Sequence, residues 1–138
     1  IIVGNQNEIA NGVNNASIFG NYGLAERDGE IVIGGGGFSG AGKGYAQSSI
    51  ITLTGTTTDA TATNLFVNGD SSTTIIARSS TSSFQGFEAT DLGKYGTTGG
   101  WAAEMAFSGT NDMLFEVTGA ANMNISWSCT LNIYELKV

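Results

Sequence analysis

The sequence is defined first by what it lacks. Its 138 residues include no histidine and no proline, a single cysteine, and only 12% charged residues. Without histidine, the usual general base and metal ligand is missing, and Cys129 alone excludes an intrachain disulfide. No apolar run approaches the roughly 20 residues that a membrane span requires. These absences exclude a disulfide-stapled scaffold and argue against a histidine-based enzyme and membrane insertion.

Basic side chains are scarce as well. Asp and Glu outnumber Lys and Arg by 12 to 5, which gives a net charge of −7. Nucleic-acid binding requires clustered Lys and Arg to neutralise phosphates, and here the basic residues are scattered. They are Arg27, Lys43, Arg78, Lys94 and Lys137. The charge pattern therefore argues against a nucleic-acid partner.

The residues that are present favour strands. Glycine is abundant at 21 residues, and β-branched residues and aromatics take the place of the Leu/Glu/Lys/Ala mixture that builds helices. We predict an all-β fold, with a short β-solenoid or β-roll-like N-terminal segment followed by a jelly-roll-like β-sandwich. The chain opens on Ile1-Ile2-Val3, without an initiator methionine or a visible signal peptide. We interpret it as the C-terminal part of a longer protein.

Residues 1–37 carry a loose repeat in which apolar residues precede a glycine. The repeats are Ile2-Val3-Gly4, Ile18-Phe19-Gly20 and Ile31-Val32-Ile33-Gly34, with glycines 16 and then 14 residues apart. A short apolar strand, a glycine corner and a polar return are typical of a β-solenoid rung. Residues 17–25, together with residues 31–34, resemble the repeat of trimeric autotransporter adhesin heads, which also occurs in phage fibre shafts. The alternative is a Gly/Asn-rich loop with a few strands.

A glycine-rich segment follows the repeat. We assign residues 38–47 to a linker or collar, because the glycine density of residues 34–44 suits a flexible change of direction. Such a segment also suggests a phosphate-binding loop. That motif needs Ser or Thr after its lysine and a helix behind it. Lys43 is instead followed by Gly44-Tyr45, so nucleotide binding is not favoured.

Residues 48–138 are typical of a compact β-sandwich. Asn68-Gly69 is a hairpin signal because both residues tolerate positive φ. In the tail, alternate positions from Ile125 to Ile133 are apolar, which predicts one buried face that includes an inert Cys129. The candidate strands span residues 48–53, 63–67, 73–77, 84–90, 101–107, 113–117 and 123–138.

Five blocks in this half occur in an order that resembles a C-terminal domain of phage tail fibre and structural proteins. The blocks are residues 56–69, 84–89, 101–104, 117–120 and 124–127. The resemblance implies a place in a virion and a homotrimer. For a threefold axis we predict a core of Ile2, Ile18, Ile31 and Ile33, since three copies would bring like strands together.

The carboxylates are the remaining source of chemistry. Glu26, Asp28 and Glu30 alternate, which on a strand would place them on one face. A glycosidase pair or a calcium site is conceivable there, but a solvated edge that discourages strand pairing is the favoured interpretation. No serine has a histidine to activate it. We expect no enzymatic activity, no metal and no cofactor.

The polar loop of residues 91–100 is the candidate ligand surface. Lys94, Tyr95 and Trp101 would combine a cation with aromatic faces, which suits a sugar. The alternative for Trp101 is packing in the core at the start of a strand.

The sequence thus predicts a virion structural and attachment protein. It would form the distal part of a trimeric phage tail fibre or spike, contact other virion proteins and bind a host-surface glycan outside the cell. The alternatives are a fragment of a polysaccharide-degrading tailspike, a capsid-decorating fibre and a bacterial trimeric adhesin head.

Overall fold

The computed structural model describes residues 1–36, 42–67, 75–76, 83–89, 101–108 and 112–137. Within these residues the chain is built from strands and short turns, and no helix is present that could cross a membrane. The strands are β1 (Ile2–Val3), β2 (Glu8–Ile9), β3 (Ser17–Asn21), β4 (Leu24–Ala25), β5 (Ile31–Gly35), β6 (Ala46–Thr57), β7 (Ala62–Asn64), β8 (Phe66–Val67), β9 (Ile75–Ile76), β10 (Ser83–Ala89), β11 (Ala102–Ser108), β12 (Asp112–Thr118) and β13 (Ile125–Lys137). The all-β prediction is confirmed.

The first five strands stack in parallel. β1 pairs with β3 through Ile2 and Ile18, and β3 pairs with β5 through Ile18 and Val32. A second parallel pair joins β2 to β4, with Ile9 beside Ala25. The sequence repeat of residues 1–37 therefore corresponds to successive turns of a coil, each laid on the previous one.

Glycine marks the corner of each turn because the backbones approach too closely there for a side chain. Gly20 has a φ of +100°, and a Cβ atom added to it would collide with the carbonyl oxygen of Gly34. A Cβ on Gly4 would collide in the same way with the carbonyl oxygen of Gly20. The periodic glycines are thus required by the stacking itself.

An asparagine ties two turns of the coil together. The Nδ2 atom of Asn7 donates to the carbonyl oxygens of Val3 at 3.2 Å and Gly20 at 2.8 Å. Its Oδ1 atom accepts from the amide of Gly23 at 2.8 Å. Both ends of the amide side chain are therefore hydrogen-bonded to backbone groups.

The chain divides into two compact units. Unit 1 comprises Ile1–Thr52, Ser79–Ala89 and Thr130–Val138, and unit 2 comprises Leu53–Arg78 and Thr90–Cys129. These bounds differ from the predicted segments 1–37, 38–47 and 48–138. The reason is that β6 pairs with β5 through Ile31 and Ile50, which extends the sheet of the coil past residue 47. The described part of the predicted linker also bonds to the coil, since the amide of Gly44 donates to the carbonyl oxygen of Tyr22 at 2.7 Å.

Unit 1 contains one main sheet in the order β1-β3-β5-β6-β13-β10. Ala16, Ile18, Ala25 and Val32 form a buried cluster inside the coil. The C-terminal part of β13 adds buried Leu131 and Ile133, while β10 pairs antiparallel to it. The alternation predicted for the tail is confirmed in this stretch.

Unit 2 contains a sheet in the order β11-β12-β7, with β9 also paired to β12. β8 pairs antiparallel with the end of β6, which places Thr54 opposite Phe66. The buried apolar side chains among the described residues of this unit are Leu53, Leu65, Val67, Phe115 and Val117. How its sheets pack as a sandwich stays a prediction.

Candidate binding surfaces

A charged cluster lies buried in unit 1. The Arg27 guanidinium contacts the carboxylate of Glu30 at 2.9 Å and that of Glu135 at 3.6 Å, and the side-chain exposures of the three are 8%, 0% and 2%. Gln47 donates from Nε2 to the second oxygen of Glu135 at 2.6 Å. Arg27 thus contacts two carboxylates, and the amide of Gln47 donates a hydrogen bond to one of them.

The acidic trio differs from the expected solvated edge. Residues 26–30 form a turn and not a strand, so the three carboxylates do not share a face. Glu30 is buried because its Oε2 accepts from the backbone amides of Glu26 and Arg27 at 2.8 and 3.1 Å. Asp28 instead accepts from the amide of Asn14 at 2.7 Å. The carboxylates of Asp28 and Glu30 therefore stabilise the fold, whereas Glu26 is exposed as expected of a solvated residue.

The second surface is an apolar face of the sheet in unit 1, which we call the outer face. Val3, Phe19 and Ile33 lie in register on adjacent strands, and Ile31 lies opposite Ile50. All are exposed, including 43% of Phe19 and 52% of Ile33. Tyr134 and Leu136 on β13 are exposed too and alternate with Glu135, whose side chain meets Gln47 on the opposite, inner face. The outer face therefore comprises Val3, Phe19, Ile31, Ile33, Ile50, Tyr134 and Leu136.

The four residues predicted to form a trimer core are placed differently from one another. Ile31 and Ile33 are exposed on the outer face. Ile18 is fully buried within the chain, where it packs with Val32, so it cannot face a partner. Ile2 is in register with Ile18 and is half exposed at the edge of the sheet. Side chains alternate between the two faces of a strand. Ile18 is in register with Val32, so it lies on the face opposite to that of Ile31 and Ile33.

The third surface is an open groove in unit 2 with a volume of about 510 Å³. Its lining combines two aromatic side chains with hydroxyl and amide groups. The lining residues are Thr54, Gly55, Thr56, Thr63, Asn64, Phe66, Ser126 and Trp127. None of these eight carries an ionisable group. The groove lies in the size range of small-molecule sites, which is about 300–1,000 Å³.

Trp127 is held in place by two contacts. Its Nε1 donates to Oγ1 of Thr57 at 2.8 Å. Trp101 packs edge-on against it, with ring centroids 6.1 Å apart and planes at 70°. Trp101, a predicted ligand residue, is half-buried. It contacts Trp127, which lines the groove, but Trp101 is not one of the eight lining residues. Lys94 and Tyr95 lie outside the described residues.

The sequence pattern does not predict the groove, although it includes the lining residues. The alternation of the tail predicts that Trp127 is buried, and the structure leaves it half-buried. Phe66 lies in a predicted strand, but its position opposite Thr54 depends on a pairing between distant segments. The sequence signal that could have indicated this groove is the polar-aromatic pair Ser126-Trp127 together with a Thr-rich strand.

Cys129 lies on the same strand as Trp127 and is half-buried. Burial raises the pKa of its thiol above the ordinary value. The thiolate is therefore disfavoured at neutral pH, as an inert structural cysteine requires. Among the residues that the structure describes, no group of three carboxylates or thiols converges on a point where a metal ion could bind.

Comparison with protein-family models, with curated proteins and with solved structures finds no match for this chain. Function is therefore inferred from the surfaces described above and from the two resemblances in the sequence.

Proposed function

We propose that this chain is a structural and attachment segment of a virion appendage, the distal part of a homotrimeric phage tail fibre or spike. It acts outside the host cell, joined to other virion proteins and in contact with a host-surface glycan. The resemblance to fibre and adhesin repeats supports this role. So does the parallel stacking of β1, β3 and β5, which suits an elongated shaft.

The outer face is the observation that carries the proposal. Contiguous apolar patches of this kind on one chain mark association surfaces, because leaving them in water is unfavourable by about 25 cal/mol per Å². Phe19, Ile31 and Ile33 are each exposed by 42–52% and lie on two adjacent strands. Association of three chains through this face would remove these side chains from water.

Charge is compatible with self-association at this surface. The chain carries a net charge of −7, so copies repel one another at long range. The outer face contains six aliphatic or phenyl side chains and one phenol, and none of these seven is a carboxylate, an amine or a guanidinium. At physiological salt the Debye length is about 8 Å, which screens the remaining repulsion between exposed carboxylates.

The alternatives are less favoured by the described residues. A polysaccharide-degrading tailspike needs two carboxyls across an open cleft. Glu30 and Glu135, which the structure brings together through Arg27, are enclosed. Neither a capsid-decorating fibre nor a bacterial trimeric adhesin head has a specific observation in its favour, and both would share the assembly proposed here.

Native mass spectrometry of two matched variants tests the proposal. Ile33→Asp places a charge on the outer face, whereas Met105→Asp changes a side chain of similar exposure on β11 in unit 2, 50% against 52%. We expect both to fold, the first as a monomer and the second as a trimer. Trimers of equal stability from both variants would contradict assembly through the outer face.

A further inference from the structure

We infer that the groove of unit 2 is a binding site for an uncharged saccharide. The inference rests on the attachment role proposed above and adds to it the position of the site and the class of ligand. It differs from the site predicted around Lys94 and Tyr95, because the groove is lined by Phe66 and Trp127 and contains no cation among its eight lining residues.

The aromatic side chains supply the apolar part of the site. Sugar rings present C–H groups on their faces, and these pack against the electron-rich faces of aromatic rings. Phe66 and Trp127 contribute two such rings to one groove. Each is half-buried, so each offers part of its surface while the rest is anchored in the protein.

The polar groups of the lining match a polyhydroxylated ligand. Thr54, Thr56, Thr63 and Ser126 provide hydroxyls that both donate and accept, and the amide of Asn64 does the same through two atoms. Thr63 donates to the carbonyl oxygen of Thr61 at 3.3 Å and keeps acceptor capacity. Sugar hydroxyls have the same dual character, so the two sets of groups can pair without net charge.

The composition of the lining decides between uncharged and acidic saccharides. A sulfated, sialylated or uronic-acid ligand would bring a carboxylate or sulfate into the groove. Burying such a charge without a cationic partner is costly. Among the lining residues that the structure describes there is no Lys or Arg, and the chain itself carries a net charge of −7. The groove therefore favours neutral hexoses, deoxyhexoses and N-acetylhexosamines.

The groove is preorganised by its supports. The hydrogen bond to Thr57 and the edge-on contact with Trp101 fix the indole of Trp127 before any ligand arrives. Thr54 and Phe66 are paired residues of an antiparallel ladder. A fixed site loses less conformational entropy on binding than a mobile one. Three copies in a trimer would raise the avidity of a weak site by roughly 10²–10⁴.

Matched arginine variants of β13 test the inference. Ser126 lines the groove and Ser128 does not, although both are exposed serines on the same strand. Ser126→Arg should fill the groove, while Ser128→Arg adds the same charge outside it. Thr56→Arg, on β6, is a second blocking variant, which keeps the inference testable if Ser126→Arg does not fold.

The probe is a printed array of neutral and acidic oligosaccharides, followed by titration with the neutral member that binds most strongly. Binding can be followed by intrinsic fluorescence, because the chain has two tryptophans and these contact each other. We expect binding of neutral members, weakened by roughly tenfold or more in Ser126→Arg and Thr56→Arg and unchanged in Ser128→Arg.

Three results would overturn the inference: no binding to any neutral member, binding of acidic members alone, or equal affinity in blocking and control variants. The native mass of each sample separates this test from the proposed assembly. A trimer that binds no saccharide would remove the groove site and leave assembly intact. A monomer that binds would retain the site and remove the trimer.

Discussion

Gln47 and Glu135 are 88 residues apart in the chain and joined by a side-chain hydrogen bond of 2.6 Å. Gln47 also makes two hydrogen bonds to the backbone of Leu24. Its Nε2 donates to the Leu24 carbonyl oxygen at 3.0 Å, and its Oε1 accepts from the Leu24 amide at 2.9 Å. One amide side chain therefore connects the coil, β6 and the last strand. Polar bonds therefore contribute to holding unit 1 together, in addition to its buried apolar side chains.

Glu30→Gln should destabilise the protein. The substitution removes the closest carboxylate partner of Arg27 and leaves that guanidinium buried beside Glu135 at 3.6 Å. Glu135 still balances the charge of Arg27, so the loss is that of the charge-assisted hydrogen bonds made by the Glu30 carboxylate, which costs about 2 kcal/mol. Urea unfolding followed by circular dichroism measures the change. Glu104→Gln is the control, since Glu104 is exposed and should change stability by about 0.5 kcal/mol or less. Equal effects of the two substitutions would show that the buried cluster is not a source of stability.

Gly20→Ala should be much more disruptive than Gly12→Ala. Both glycines have positive φ, at +100° and +86°, but only Gly20 has a carbonyl oxygen in the space that a Cβ would occupy. We expect a loss of about 1–2 kcal/mol for Gly12→Ala from backbone strain. For Gly20→Ala we expect about 3 kcal/mol or more, since steric overlap is added to the strain. Thermal melts of both variants provide the comparison, and losses of similar size would argue against close stacking of the turns.

The Cys129 thiol should react slowly in the folded protein. Because burial raises its pKa, a smaller fraction is thiolate at any pH below that value than in an unfolded chain. Alkylation by iodoacetamide at pH 8, followed by mass spectrometry, should be slower in buffer than in denaturing urea. The native rate should also rise as the pH is increased. A folded protein that reacts as fast as the unfolded one would contradict the burial of this thiol.

Local pattern was enough to predict much of the fold. The apolar-glycine repeat predicts the spacing at which Ile2, Ile18 and Val32 stack. It does so because close backbone contact at the corners requires glycine at regular positions in the sequence. The period-two alternation of the tail likewise identified Leu131 and Ile133 as buried. Both signals arise within a few residues of one another and need no knowledge of distant partners.

The candidate surfaces were harder to predict because they depend on distant pairings. Glu30 and Glu135 are typical surface residues by type, and contacts with Arg27, Gln47 and the backbone amides of the turn make their burial possible. The groove requires β8 to lie against β6. The repeat also does not indicate which face of each strand points inward, so the prediction of a trimer core places Ile18 together with Ile33.

Assembly is the central claim, and the native mass of the unmodified chain tests it most directly. Light scattering at several concentrations, before and after heating, would distinguish a single chain of 14.2 kDa from an assembly of three. We predict a heat-resistant particle with three times the mass of the chain at every concentration. A folded particle with the mass of one chain would contradict the trimeric fibre and leave the outer face without its proposed partner.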